Sequence, residues 1–110
     1  TMFALFQRLL GGHSPQLPQG DDVLLIDVRE PAEFAGGHAP GALSLPLGQL
    51  QSGIARIAPG LDTPMILYCA SGMRSASGVR ILAALGYTGV HNAGGLGQAV
   101  AWARQRNSST

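Results

Sequence analysis

The stretch Met65-Ile66-Leu67-Tyr68-Cys69-Ala70-Ser71-Gly72-Met73-Arg74-Ser75 decides how this chain is read. An apolar run ends at the only cysteine, a short glycine-containing loop follows, and a helical pattern begins beyond it. Met65 to Cys69 reads as the central strand. Val79, Leu82, Ala83 and Leu85 share one face of a helix from about Met73 to Leu85, with Gly86 as its stop. A thiol between strand and helix faces backbone N–H groups and the positive end of the helix dipole, and both favour the thiolate. If Cys69 to Arg74 curl into a semicircle, their N–H groups converge on the sulfur as an anion-binding nest. Gly72 tolerates the backbone angles this needs. Arg74 adds a permanent charge and a planar fork suited to an oxyanion, and Ser71 and Ser75 add hydroxyls. An isolated cysteine is usually a packing residue; these neighbours turn the reading toward a nucleophile.

Outward from this loop, apolar runs alternate with helical patterns. Val23 to Ile26 is a continuous apolar run, expected of a strand buried on both faces. Pro31 opens a helix through Phe34, stopped by Gly36-Gly37. His38 to Ala42 is a turn, Leu43 to Leu45 a short strand, and Leu47, Leu50, Ile54 and Ile57 mark an amphipathic helix from Leu47 to Ala58. Val90-His91 is a short strand, and Gly94-Gly95 turns the chain into a last helix through Trp102. The alternation predicts an α/β, three-layer domain with a mostly parallel sheet of about five strands flanked by helices. In such sheets ligands lie beyond the carboxyl ends of the strands, where Cys69 falls. Residues 1–20 read as a short N-terminal segment with a helix over Met2–Leu10, residues 21–106 as the domain, and residues 107–110 as a fraying tail. The polar end from Arg104 is expected to fray with it.

The 110 residues carry a net charge of +1, and all seven basic residues are arginine. Without lysine, Schiff-base chemistry and a lysine base are excluded. The arginines form no run, so neither a nucleic-acid nor a membrane-surface partner is expected. One cysteine and three separated histidines, His13, His38 and His91, give no metal-ligand spacing and no cofactor site. No segment reaches the ~20 apolar residues of a membrane span, and Met2–Leu10 is too short for a signal core. Thr1 ahead of Met2 reads as a cloning remnant. The expectation is cytoplasmic, or periplasmic if a leader has been removed, and monomeric.

Taken together, Asp27-Val28-Arg29-Glu30, Glu33-Phe34, Gly37-His38-Ala39-Pro40-Gly41-Ala42, Tyr68-Cys69 with Gly72 and Arg74, Gly86-Tyr87 and Gly94-Gly95 resemble the single-domain rhodaneses, most of all the small phage-shock-type ones. The resemblance covers Val23 to about Trp102. It implies a sulfurtransferase: Cys69 takes the outer sulfur of thiosulfate or a related small anionic donor as a persulfide. A thiophilic acceptor (cyanide, a thiol or a protein) then removes it. Ala70, Ser71, Gly72, Met73, Arg74 and Ser75 form the substrate cradle. Phosphatase relatives separate cysteine and arginine by one residue more than the four found here, which speaks against a phosphatase. The lack of a second cysteine speaks against an arsenate reductase with an internal disulfide. A non-enzymatic persulfide carrier or partner-docking module is the remaining alternative.

Asp27, Arg29, Glu33 and His38 match the family but read as structural. Arg29 and Glu33 can pair across a helix start, and Asp27 can accept exposed N–H groups at its strand end. His38 organises the Gly37–Gly41 turn. Phe34 and Trp102 read as core. The family places its tryptophan sooner after the paired glycines, so the last helix is expected to be shifted or extended. One sheet edge is expected to be abbreviated.

Overall fold

The structure, a computed structural model, describes residues 17–108. The expected helix over Met2–Leu10 lies outside them. In chain order the elements are β1 (Leu24–Asp27), α1 (Pro31–Ala35), β2 (Leu43–Ser44), α2 (Leu47–Ile57), β3 (Met65–Tyr68), α3 (Met73–Ala84), β4 (Val90–Gly94) and α4 (Leu96–Ser108). The strands form one sheet in the order β2-β1-β3-β4, with every pairing parallel. The described residues therefore hold four strands rather than about five. Among the described residues β4 forms one edge of the sheet, and the chain passes from it straight into α4. The other edge, β2, has only two residues. It is followed by Pro46, which has no N–H to extend a ladder.

Alternation along the central strands sends side chains to both faces. Ile26, Met65, Leu67 and Cys69 pack with Leu50 and Ile54 of α2 and Leu82 of α3. Leu25, Ile66 and Tyr68 pack with Ala99, Trp102 and Ala103 of α4. This is the expected three-layer arrangement. The face of α3 differs from the one its periodicity suggested. Its buried stripe is Ser75, Gly78 and Leu82, with Val79 half-buried, while Ala83 and Leu85 face solvent. Small residues, not large ones, allow α3 to lie close on the sheet.

Helix α4 runs past Trp102 to Ser108, so Asn107 and Ser108 belong to a helix rather than to a frayed end. Ala103, Arg104, Gln105 and Arg106 are good helix formers with no breaker among them. Arg106 also holds the last turns down: its guanidinium lies 4.4 Å from the Trp102 ring centroid and donates to the Val23 carbonyl at 2.7 Å. Trp102 is buried as expected, with Nε1 donating to the Pro18 carbonyl at 3.0 Å.

From β1 the chain leaves toward β2, and from β3 it leaves toward β4, in opposite directions across the sheet. The crevice beyond the ends of β1 and β3 is thus the topological switch point, where open α/β sheets bind ligands. Asp27 and Tyr68 face each other in register at that point, and Cys69 follows directly.

Candidate active site

Strand β3 delivers Cys69 to the crevice with no exposed surface on the residue. Its N–H is anchored on the Gly94 carbonyl of β4 at 3.1 Å. The chain then doubles back toward α3, and Gly72, the residue capping that helix, takes φ +100°. A Cβ there would stand 3.2 Å from the Gly94 Cα. Gly95 makes the matching close approach: a Cβ on it would lie 2.6 Å from the Ala70 carbonyl oxygen. Loop and β4 end are joined by the antiparallel bridge between Ser71 and Gly95. Two glycines from distant parts of the chain thereby close the loop around the sulfur.

The Gly72 N–H lies 3.0 Å from Sγ, the Ser75 N–H 3.5 Å and the Ser75 Oγ 3.4 Å. Burial pushes the thiol up, but the Ser75 hydroxyl and N–H and the N–H groups of Ser71 and Gly72 outweigh it, so the thiol falls to about 7. Three residues of the Ala70–Ser75 arc reach solvent. Ala70 and Ser71 are exposed, and Met73 is 79 % exposed.

Arg74 faces α1. Its Nη1 and Nη2 donate to Glu33 Oε1 and Oε2 at 2.7 and 3.0 Å, a bidentate pair across the crevice. Glu33 is held well below the usual carboxylate range, at about 2, by the Arg74 hydrogen bonds first and the Glu30 N–H second. Arg74 is raised by the same pair, with a smaller contribution from Cys69. The expected Arg29–Glu33 pair is therefore replaced. Arg29 turns back onto Asp27, with Nη2 to Oδ2 at 2.7 Å and Nε to Oδ1 at 3.0 Å, and donates to the Gly37 carbonyl at 2.7 Å. Asp27 Oδ1 also accepts the Arg29 N–H at 2.9 Å, the strand-end bond the sequence suggested. The Arg29 guanidinium sits 5.6 Å from the Tyr68 ring centroid. Burial drives the Tyr68 hydroxyl up to about 12, and that hydroxyl accepts the Ala39 N–H at 3.0 Å.

His38 is exposed, stacks on Phe34 with ring centroids 3.7 Å apart, and shares a hydrogen bond through Nδ1 with the Phe34 carbonyl. Phe34 is thus half-buried on His38 rather than in the core. Among the described residues no three of His, Cys, Asp and Glu gather as a metal set, and no helix is long and apolar enough to cross a membrane.

One residue of the site was not singled out from the sequence. Asn92 of β4 accepts the Ser75 hydroxyl at 2.7 Å and the Gly94 N–H at 2.8 Å through Oδ1, and its Nδ2 donates to the Gly72 carbonyl at 3.0 Å. Only its place in Asn92-Ala93-Gly94-Gly95, next to the glycines of the loop, hinted at it.

Fold and site define a class: a small parallel α/β domain with a cysteine in a nest of N–H donors at the switch point. The chain belongs to the rhodanese family, since the Rhodanese-like domain model matches residues 15–99. It is similar to thiosulfate sulfurtransferase PspE of Escherichia coli, 39% identical over 71 residues, 64% of this chain and 68% of that protein. A sulfurtransferase of Allochromatium vinosum is 40% identical over 92 residues, 83% of this chain and 81% of that one. An uncharacterized Synechocystis protein is 44% identical over 79% of this chain, which spans only 46% of it. Among solved structures, an E. coli rhodanese with anions superposes with a TM-score of 0.67 at 37% identity, covering 69% of this chain and 89% of that one. The rhodanese domain and these relatives support sulfurtransferase activity in general.

Proposed function

We propose that Cys69 carries sulfur as a persulfide between thiosulfate, or a related small anionic donor, and a thiophilic acceptor. The observation that carries this reading is the convergence of the Gly72 N–H, the Ser75 N–H and the Ser75 Oγ on one sulfur atom. The Cys69 thiolate attacks the outer sulfur of thiosulfate. A new S–S bond forms at Sγ, and the donor's own S–S bond breaks, its electron pair leaving with sulfite. The charge then rests on the outer sulfur of Cys69-S-S⁻, roughly 2 Å beyond Sγ, where N–H donors of the loop stabilise it. A thiolate or cyanide attacks that sulfur, breaks the bond and restores the Cys69 thiolate.

Arg74 orients the donor. The Glu33 pair occupies two of its five N–H donors, so the guanidinium keeps donors with which to meet an anion. Because the thiol falls to about 7, transfer rises about tenfold per pH unit below that value and levels off above it. Double-displacement kinetics are expected.

Intact mass spectrometry before and after incubation with thiosulfate tests the reading. Wild type gains one sulfur that cyanide removes, and Cys69→Ala gains none. Retention of the gain in Cys69→Ala would sink the assignment.

A further inference from the structure

A serine hydroxyl has one proton and two lone pairs, and Ser75 has two claimants for that proton. Its Oγ stands 2.7 Å from Asn92 Oδ1 and 3.4 Å from Cys69 Sγ, inside a residue with no exposed surface. The orientation of the Asn92 amide is settled by its other partners. The Gly94 N–H requires an acceptor at Oδ1, and the Gly72 carbonyl requires a donor at Nδ2. The shorter contact takes the proton, so Ser75 donates to Asn92 and presents a lone pair to Sγ. That arrangement suits the thiol, whose S–H can donate to Oγ. It does not suit a thiolate, which would face the lone pair. On ionisation the hydroxyl must swing to Sγ, leaving Asn92 Oδ1 with the Gly94 N–H alone.

We propose that Asn92 is a positioning residue for Cys69, competing with the sulfur for the Ser75 proton and so setting how readily the thiol ionises. The inference rests on Cys69 as the reactive group but not on its sulfur donor. Asn92 also holds the Gly72 carbonyl, and with it the N–H closest to Sγ. The two duties have opposite signs: losing the competition favours the thiolate, and loosening Gly72 disfavours it. Other charged or titratable groups on the surrounding elements are Arg74 on α3, Glu33 on α1, Asp27 and Arg29 at the end of β1, Tyr68 on β3, His38 in the turn and His91 on β4. All are the same in every variant below.

The test is a double-mutant cycle on the whole chain, with no sulfur donor present. The rate of Cys69 alkylation by iodoacetamide is followed against pH in wild type, Asn92→Leu, Ser75→Ala and the double variant. The competing proton makes the Asn92→Leu midpoint shift lower, by up to about one pH unit, when Ser75 is present than when it is alanine. A purely structural Asn92 moves both backgrounds alike, and equal shifts, or a higher one with Ser75 present, overturn the proposal. Asn92→Ala serves in the same cycle if the leucine variant does not fold. Alkylation midpoints answer the question even if thiosulfate never loads Cys69, so this failure and that of the sulfur-transfer reading are distinguishable.

Discussion

Strands β1 and β3 lie side by side and end at the same level, yet their ends are built on opposite principles. At the end of β1, Asp27 and Arg29 answer each other: both are buried, and each charge meets its opposite. At the end of β3, the Gly72 and Ser75 N–H groups and the Ser75 hydroxyl face one sulfur, with no carboxylate or imidazole bonded to it among the described residues. The first arrangement is balanced, charge against charge. The second is unbalanced in favour of negative charge. The contrast separates what holds the crevice from what acts in it. Asp27 and Arg29 fix the Gly37 carbonyl and crowd Tyr68, which holds Ala39. They support the turn flanking the site without touching the reacting atom.

The largest effect expected from breaking this contrast is on stability. Asp27→Asn leaves the Arg29 guanidinium buried without its counter-charge, which costs about 3–5 kcal/mol. Urea denaturation should show that loss, while the pH midpoint of Cys69 alkylation in the folded protein stays near that of wild type. A midpoint displaced by a full unit would mean that the two strand ends are one electrostatic unit.

Gly95→Ala acts on the other side. Its Cβ would be 2.6 Å from the Ala70 carbonyl oxygen, a backbone atom that can retreat only by shifting the loop. Sulfur loading should slow by about tenfold to a hundredfold, as misplacement of a reacting group does, with a stability loss of only about 1–3 kcal/mol. Single-turnover loading beside a denaturation curve checks both. Undiminished loading would show that the cradle does not depend on this close approach.

How much of this was legible in the sequence follows from chain distance. Cys69, Gly72 and Ser75 lie within one strand–loop–helix passage, so their joint purpose could be read from local pattern. Asp27 accepts from the Arg29 N–H two residues on and was equally readable. Asn92 was missed because its partners, Ser75 and Gly72, come from another element, brought close by β3 pairing with β4. The Glu33 partner was mistaken for the same reason. Helical spacing offered Arg29, whereas the fold supplies Arg74 from across the crevice. The α3 face was misjudged because hydrophobicity marks large residues, and this helix buries Ser75 and Gly78.

The smallest effect belongs to the second ion pair, and it sharpens the comparison with the first. Arg74 and Glu33 are each 36% exposed at the side chain, against 7% and 0% for Arg29 and Asp27. Water screens an exposed pair, so Glu33→Gln should cost far less than Asp27→Asn at neutral pH. Its signature is in the acid range. Glu33 is lowered from 4.5 to about 2 in the folded chain. The pair's contribution is therefore fully present above about 4.5 and is lost as pH falls toward about 2. Wild type and Glu33→Gln should differ slightly in melting temperature above that window and converge below it. If they differ as much at pH 2 as at pH 7, Glu33 acts through packing on α1 rather than through its charge on Arg74.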